Sequence, residues 1–185
     1  MPEHVCPWWV GYLLASPIRK LFQDPHQLLA PYITEDMTVV EPGPGMGFFT
    51  LELARLVGAH GRVIAIDVQP KMLRSLAQRA RKVNLEDRIE LREPKGDSMN
   101  IDDLTGKVDV VLAAAVVHEL PNPALFFQEM SRALKPQGRL LLVEPAGHIK
   151  LPAWEATLQQ AYAAGLHKHQ DLIIKRAHAA ILINP

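Results

Sequence analysis

A chain of 185 residues with 48% hydrophobic and 22% charged residues can bury one ordinary core but leaves little room for a second domain. Its 20 Lys and Arg residues balance its 20 Asp and Glu residues, so it lacks the basic excess of nucleic-acid binders and no nucleic-acid partner is expected. The single cysteine, Cys6, excludes an intrachain disulfide and suits the cytoplasm, where we expect the protein to be located.

Residues 1–37 are predicted to be an N-terminal extension. Five prolines in this segment would break any helix there into short pieces. The apolar part, residues 5–18, is shorter than the roughly 20 residues that a bilayer span requires, so no membrane span is expected. Trp8 and Trp9 either pack the extension over a sheet or form a lid over the active site. Cys6 would supply only one thiolate as a metal ligand, so no metal site is expected.

From residue 38 onward, short apolar runs alternate with helical patterns, which is typical of α/β domains with a parallel sheet. The first five predicted strands are residues 38–41, 62–67, 88–91, 108–117 and 139–144. The predicted helices between them are residues 48–57, a helix from residue 70, and residues 121–134. The tail is predicted to hold a helix at residues 151–165 and two strands, 171–175 and 178–183, joined at residues 176–177.

The stretch VEPGPGMGFF, residues 40–49, places three glycines at alternate positions between the first strand and the first helix. Such a turn lets backbone approach a ligand and directs the N–H groups of the helix toward it. The dinucleotide fingerprint G-x-G-x-x-G requires a third glycine where Phe48 stands, and no P-loop sequence is present. The turn therefore favours neither a dinucleotide nor a nucleoside triphosphate.

Two aspartates follow the next two strands. Asp67, 20 residues after Gly47, can accept both hydroxyls of a ribose. Asp97 can accept a hydrogen bond from an exocyclic amine such as adenine N6. Each feature also has a purely structural interpretation. The glycines would form only a tight turn, Asp67 would be a carboxylate at a helix start, and Asp97 would be an ordinary loop residue. In order at successive strand ends, the three together indicate an adenosine ligand.

The segments VVEPGPGMGFF, VIAIDVQPKML, GDSM and VDVVLAAAVVHELPNPALFFQEMSRALKPQGRLLLVEP resemble, in this order, the motifs of class I S-adenosylmethionine-dependent methyltransferases. The resemblance covers residues 35–146 and is to small-molecule enzymes of the ubiquinone/menaquinone and arsenite type. It implies a Rossmann-like, doubly wound α/β fold. That fold has a seven-stranded sheet, mostly parallel with the last strand antiparallel, and helices on both faces. Residues 38–185 would form the cofactor-binding domain.

The resemblance also implies a set of residues that bind S-adenosylmethionine, which would leave as S-adenosylhomocysteine. It assigns the amino-acid end to Glu41, Gly43, Gly45 and Gly47, the ribose hydroxyls to Asp67, the adenine to Val68, Asp97 and Ser98, and the methionine part to Ala113 and Ala114. One departure is Gln137, where many members of the family have glycine. The turn that holds it is expected to lie away from the cofactor.

Methyl transfer from a sulfonium is an in-line displacement, in which a protein orients, desolvates and, where needed, deprotonates the nucleophile. His118 and Glu119 follow the fourth strand, at the carboxyl edge where ligands bind in open α/β sheets, and are the candidate catalytic residues. His118 would act as a general base or contact the substrate. Its structural alternative is to cap the next helix or bind a loop carbonyl, and His148 is a second candidate.

The sequence therefore predicts a methyltransferase that uses S-adenosylmethionine and acts on a small-molecule acceptor. Three alternatives stay open: a methyltransferase acting on protein or RNA, an inactive member that only binds the cofactor, and a nicotinamide oxidoreductase. The sequence indicates neither the acceptor atom nor the oligomeric state.

Overall fold

The computed structural model describes residues 24–185 of the chain. The predictions for Cys6, Trp8 and Trp9 lie outside the described residues, and the lid role of the extension stays a prediction. The described residues divide into two compact units, residues 24–93 and residues 94–185. From residue 24 to the end of the chain, no helix combines the length and apolar character needed to cross a membrane.

Seven strands form one sheet in the order β3-β2-β1-β4-β5-β7-β6. The strands are Thr38–Pro42 (β1), Arg62–Ile66 (β2), Ile89–Arg92 (β3), Val108–Ala114 (β4), Leu134–Pro145 (β5), His167–Asp171 (β6) and Ala177–Ile183 (β7). The pairs β1–β2, β2–β3 and β4–β5 are parallel, whereas β7 runs antiparallel to both β5 and β6. This confirms the predicted seven-stranded, mostly parallel sheet with an antiparallel last strand.

The first unit contains three described helices: Pro25–Leu29 (α1), Thr50–Leu56 (α2) and Pro70–Arg81 (α3). The apolar residues of β1 and β2 are buried, as expected for strands covered on both faces. Helix α3 begins at Pro70, whose fixed φ suits the first turn of a helix. Its buried face carries Met72, Leu73, Leu76 and Ala80.

The second unit contains two α-helices, Pro123–Ala133 (α4) and Leu151–Ala163 (α5), and a 3-10 turn at Val117–Glu119. The side chain of Asn122 caps α4 by accepting a hydrogen bond from the Leu125 N–H at 3.1 Å. Phe126 and Phe127 of this helix are fully buried, with ring centroids 5.2 Å apart. Helix α5 ends just before Gly165, whose φ of 90° is typical of a glycine that caps the end of a helix.

Two predicted strand boundaries are wrong because the backbone departs from an extended path. Strand β4 ends at Ala114 rather than at residue 117, since Ala115 adopts a left-handed φ of 56°. Strand β5 begins at Leu134 rather than at residue 139. Its register with β4 shifts over residues 135–138, which lie between the pairs Val108–Leu134 and Val110–Arg139.

The predicted C-terminal hairpin is present, but its first strand was placed too late. The structure puts β6 at His167–Asp171 and makes residues 172–176 the connection to β7. All five residues of β6 are exposed, so this edge strand carries no apolar pattern. The apolar residues 172–174 have the composition of a strand, but they lie in the connection, where Ile173 is fully exposed.

Candidate functional site

The glycine turn after β1 is held by backbone contacts inside the first unit. Gly43, Gly45 and Gly47 have φ values of 67°, 55° and 86°, in the left-handed region that glycine adopts without strain. A Cβ atom on Gly47 would clash with Cδ1 of the buried Leu76, whereas one on Gly45 would meet no described atom within 4 Å. A side chain at Gly47 would therefore disturb the packing against α3, and the described residues leave the space beside Gly45 open.

Asp67 ties the end of β2 to this turn. Its Oδ2 accepts a hydrogen bond from the Gly45 N–H at 3.3 Å, and its Oδ1 accepts one from the Gln69 N–H at 2.8 Å. The second contact is the helix-start role that the sequence left open, and the first brings together two predicted cofactor residues. Val68 follows with 57% of its surface exposed, as expected of an apolar side chain beside a ligand.

Glu41, at the end of β1, is only 2% exposed. Across residues 24–185, its Oε2 and the Oγ1 of Thr50 each lack a partner in hydrogen-bond geometry. Burial raises the pKa of Glu41 to about 8; the nearby Thr50 hydroxyl opposes this rise and the charge of Asp67 adds to it. An unpartnered buried oxygen is costly, and a cationic group such as the ammonium of an amino acid would satisfy it. The turn, Asp67 and Glu41 thus fit S-adenosylmethionine.

In the second unit, the loop after β3 uses Ser98 to hold itself in place. Its hydroxyl donates to Oε1 of Glu129 at 2.6 Å, and Oε2 of Glu129 accepts from the Met99 N–H at 2.9 Å. Asp97 lies exposed at the tip of this turn. The adenine contacts of Asp97 and Ser98 stay predictions. Glu129 was not predicted from the sequence, although a glutamate among the apolar residues of α4 was a detectable signal.

The end of β4 leads directly to the candidate catalytic residues. Ala113 and Ala114 pair with Leu142 and Val143 of β5, and their cofactor contact stays a prediction. Ala115 then turns the chain in a left-handed conformation that is unfavourable for a residue with a Cβ. The 3-10 turn that follows carries His118 and Glu119.

His118 contacts a buried glutamate rather than a helix end or a loop carbonyl. Its Nδ1 lies 2.5 Å from Oε2 of Glu144, and Oε1 of Glu144 accepts the Val117 N–H at 2.9 Å. The side chain of Glu144 is 1% exposed and that of His118 is 23% exposed. Glu119 Oε1 lies 3.9 Å from His118 Nε2, and the His148 ring centroid lies 6.5 Å from that of His118.

These neighbours favour the protonated form of the His118 ring. The hydrogen bond with Glu144 raises the pKa of His118, burial opposes the rise, and the charges of Glu144 and Glu119 add to it. The arrangement can therefore accept a proton at Nε2. Glu144 was missed at the sequence level, although it ends an apolar strand in the same Val-Glu-Pro sequence that ends β1. In the part of the chain that the structure describes, no three His, Cys, Asp or Glu residues form a metal site.

Comparisons with known proteins agree with the motifs. A sequence profile of the methyltransferase domain matches residues 33–178. The demethylmenaquinone methyltransferase of Lactobacillus johnsonii is 31% identical over 115 residues, which are 60% of this chain and 46% of that protein. The ubiquinone/menaquinone biosynthesis C-methyltransferase UbiE of Klebsiella pneumoniae is 27% identical over 112 residues, 60% of this chain and 44% of that protein. The chain spans less than half the length of these two curated relatives.

Solved structures match the fold over nearly the whole chain. A SAM dependent methyltransferase from Aquifex aeolicus has a TM-score of 0.85 and 26% identity, covering 98% of this chain and all of that one. The [4+2]-cyclase SpnF has a TM-score of 0.72 at 17% identity, covering 86% and 79%, and shows the fold alone. Because the profile covers most of its length, the chain belongs to the methyltransferase domain family, among the class I S-adenosylmethionine-dependent methyltransferases.

Proposed function

We propose that the protein transfers a methyl group from S-adenosylmethionine to a small molecule whose nucleophile must lose a proton, with His118 as the general base. The observation that supports this most is the contact of His118 with the buried Glu144, in a member of a methyltransferase family. The names of the relatives from L. johnsonii and K. pneumoniae favour a quinone-type ring methylated at carbon. In the cell, we expect the reaction to take place in the cytoplasm.

The first unit supplies Glu41, the glycine turn, Asp67 and Val68 to the proposed cofactor site. The cofactor would provide an activated methyl group with a neutral thioether as leaving group. The unpartnered Oε2 of Glu41 suits the cationic amino-acid end. Asp67 suits the ribose hydroxyls, Val68 the adenine, and the turn around Gly45 leaves the open space. Asp97, Ser98, Ala113 and Ala114 stay as predicted contacts.

A reduced quinone explains why a base is needed. A phenolic O–H leaves the ring only weakly nucleophilic, and removal of its proton raises the electron density at the neighbouring ring carbons. Nε2 of His118 would accept this proton, and Glu119, 3.9 Å away, would stabilise the resulting imidazolium. Over the whole reaction, the acceptor loses one proton and gains one methyl group.

The test uses methyl-labelled S-adenosylmethionine and a prenylated 1,4-naphthoquinol that is kept reduced under anaerobic conditions. We expect a labelled product, and NMR of that product shows whether the methyl group is bound to carbon or oxygen. Catechol and a small thiol in parallel reactions test other acceptor atoms. Cofactor binding without any labelled product would favour the inactive alternative, and label in added protein or RNA would favour a macromolecular acceptor.

Replacement of His118 tests the proposed base directly. We expect His118→Gln to lower turnover by about 10²- to 10⁴-fold, the range of general base catalysis, because the glutamine amide cannot accept the proton. Calorimetry should show unchanged binding of S-adenosylmethionine. The matched control is His167→Gln on the exposed edge strand β6, which should leave turnover unchanged. Full turnover by His118→Gln would contradict the proposal.

A further inference from the structure

We infer that Glu144 is a positioning residue that fixes the tautomer of the His118 ring, so that Nε2 is the atom that takes the proton of the acceptor. The inference rests on the proposed function of His118 and adds a residue with no earlier role. It also restricts the acceptor to molecules whose nucleophilic group carries a dissociable proton.

Glu144 is placed where it can hold a ring rigidly. It lies near the end of β5, which pairs with β4 on one side and with β7 on the other, where Glu144 itself is in register with His178. Its two oxygens contact successive residues of the 3-10 turn, the Val117 N–H and the His118 ring. One buried side chain therefore fixes both the backbone that carries His118 and the orientation of the ring.

The contacts determine which ring nitrogen carries the proton. A carboxylate only accepts hydrogen bonds, and Oε1 of Glu144 already accepts the Val117 N–H. The ring must therefore donate from Nδ1 to Oε2. A neutral imidazole has one N–H, so Nε2 keeps its lone pair and can accept a proton. Among residues 24–185, the other titratable groups that face the ring are Glu119, 3.9 Å from Nε2, and His148.

The proton transfer leaves Glu144 unchanged. The bond between hydrogen and the nucleophilic group of the acceptor breaks, its electron pair stays on the acceptor, and the proton passes to Nε2. The ring is then an imidazolium that holds protons on both nitrogens, and it later releases the Nε2 proton to solvent. Glu144 stabilises this cation without taking a proton itself, as the buried carboxylate does beside the histidine of Ser-His-Asp triads.

The first test is NMR of the protein labelled with ¹⁵N-histidine, without donor or acceptor, so that it does not depend on turnover. Two-bond ¹H–¹⁵N spectra report which ring nitrogen is protonated, and His118→Gln identifies the His118 signals among the eight histidines. We expect the Nδ1–H tautomer in the wild type. In Glu144→Gln we expect that preference to be lost and the pKa of His118 to fall, because the amide carries no charge.

Glu129→Gln is the matched control, because Glu129 is also a buried glutamate that accepts hydrogen bonds from a loop of the second unit. This variant should keep the wild-type tautomer and pKa of His118. An Nε2–H tautomer in the wild type, or the same tautomer in the wild type and in Glu144→Gln, would overturn the inference. Should Glu144→Gln fail to fold, Glu144→Asp, whose shorter side chain separates the carboxylate from Nδ1, replaces it under the same criteria.

The second test separates positioning from mere support of the fold. With the prenylated naphthoquinol, the wild-type rate should rise with pH through the raised pKa of His118, because only the neutral ring accepts a proton. Glu144→Gln should lower kcat by at least about 10²-fold with little change in KM, and its rising limb should move to lower pH. A rising limb that does not move would overturn the inference. An Nδ1–H tautomer combined with full turnover of His118→Gln would instead contradict the proposed function and leave the role of Glu144 in fixing the ring intact.

Discussion

Two glutamates occupy equivalent places in this chain but differ in their surroundings. Glu41 and Glu144 each end an apolar strand, precede a proline, and are almost completely buried. Proline has no N–H, so in neither case can the next residue donate a hydrogen bond to the carboxylate. The Val117 N–H and the His118 ring fill this role for Glu144, whereas no described residue fills it for Oε2 of Glu41.

The raised pKa of Glu41 predicts how stability depends on pH. The carboxyl group ionises near pH 4.5 in the unfolded chain but only near pH 8 in the folded protein, so the unfolded state holds fewer protons between these values. The free energy of unfolding therefore falls as pH rises from 4.5 to 8, by at most about 1.4 kcal/mol per pH unit. Urea unfolding of the wild type and of Glu41→Gln at pH 5, 6, 7 and 8 measures this.

We expect the advantage of Glu41→Gln over the wild type to grow steadily across that pH series, because the amide stays neutral throughout. A constant difference between the two proteins would show that Glu41 ionises at its ordinary pKa. Glu129→Gln serves as the control for the general effect of replacing a buried glutamate.

The sequence indicated Asp67 as a candidate residue but not Glu144, and the reason is physical. Asp67 acts within its own turn and touches Gly45, which belongs to the same recognisable pattern of strand, turn and strand. The role of Glu144 depends on a contact with His118, 26 residues earlier in the chain. Only the register between β4 and β5 brings these two residues together, and no local pattern encodes that register.

At the scale of elements, two glycines of the turn between β1 and α2 differ in their surroundings. Gly47 packs against α3, whereas Gly45 borders open space. Gly47→Ala should lower the free energy of unfolding by roughly 1–3 kcal/mol, because its Cβ would press on the fully buried Leu76 as well as strain the backbone. Gly45→Ala should cost only the backbone strain, roughly 1 kcal/mol. Chemical denaturation of both variants measures the difference, and equal losses would contradict this account.

The first strand of the hairpin could not be predicted from its composition. Strand β6 has polar, exposed residues on both faces and is recognisable only through its pairing with β7. The start of α3 and both bounds of α5 were predicted nearly correctly, since proline near a helix start and apolar spacing are local signals. Local patterns thus predict elements that bury a face, and fail for elements that are held only by a neighbouring strand.

A pair of matched substitutions tests the corrected hairpin. Ile173→Thr in the connection should change the free energy of unfolding by less than about 0.5 kcal/mol, because the side chain is fully exposed. Ile181→Thr in β7 should cost about 2 kcal/mol or more, because that side chain is buried and the hydroxyl would lose water. Thermal or urea unfolding distinguishes the two. A large loss of unfolding free energy in Ile173→Thr would contradict this assignment and support the predicted strand at residues 171–175.

For the whole molecule, the equal numbers of acidic and basic residues predict behaviour in solution. With a formal net charge of zero at pH 7, the chain has little electrostatic repulsion between copies. Solubility, measured as the polyethylene glycol concentration that precipitates half of the protein, should therefore be lowest near pH 7. It should rise on either side of this pH, as the net charge moves away from zero. A minimum displaced by more than a pH unit would contradict this expectation.

The left-handed conformation of Ala115 has a consequence for laboratory evolution. Glycine adopts a φ of 56° without the penalty that a Cβ imposes, so Ala115→Gly should relieve strain at this position. The same change would loosen the segment that leads to His118, three residues later. A selection for heat resistance alone should therefore enrich Ala115→Gly, while a selection for product formation should remove it. Opposite enrichment of Ala115→Gly in the two selections would show that the conformation at this residue lowers stability but supports activity.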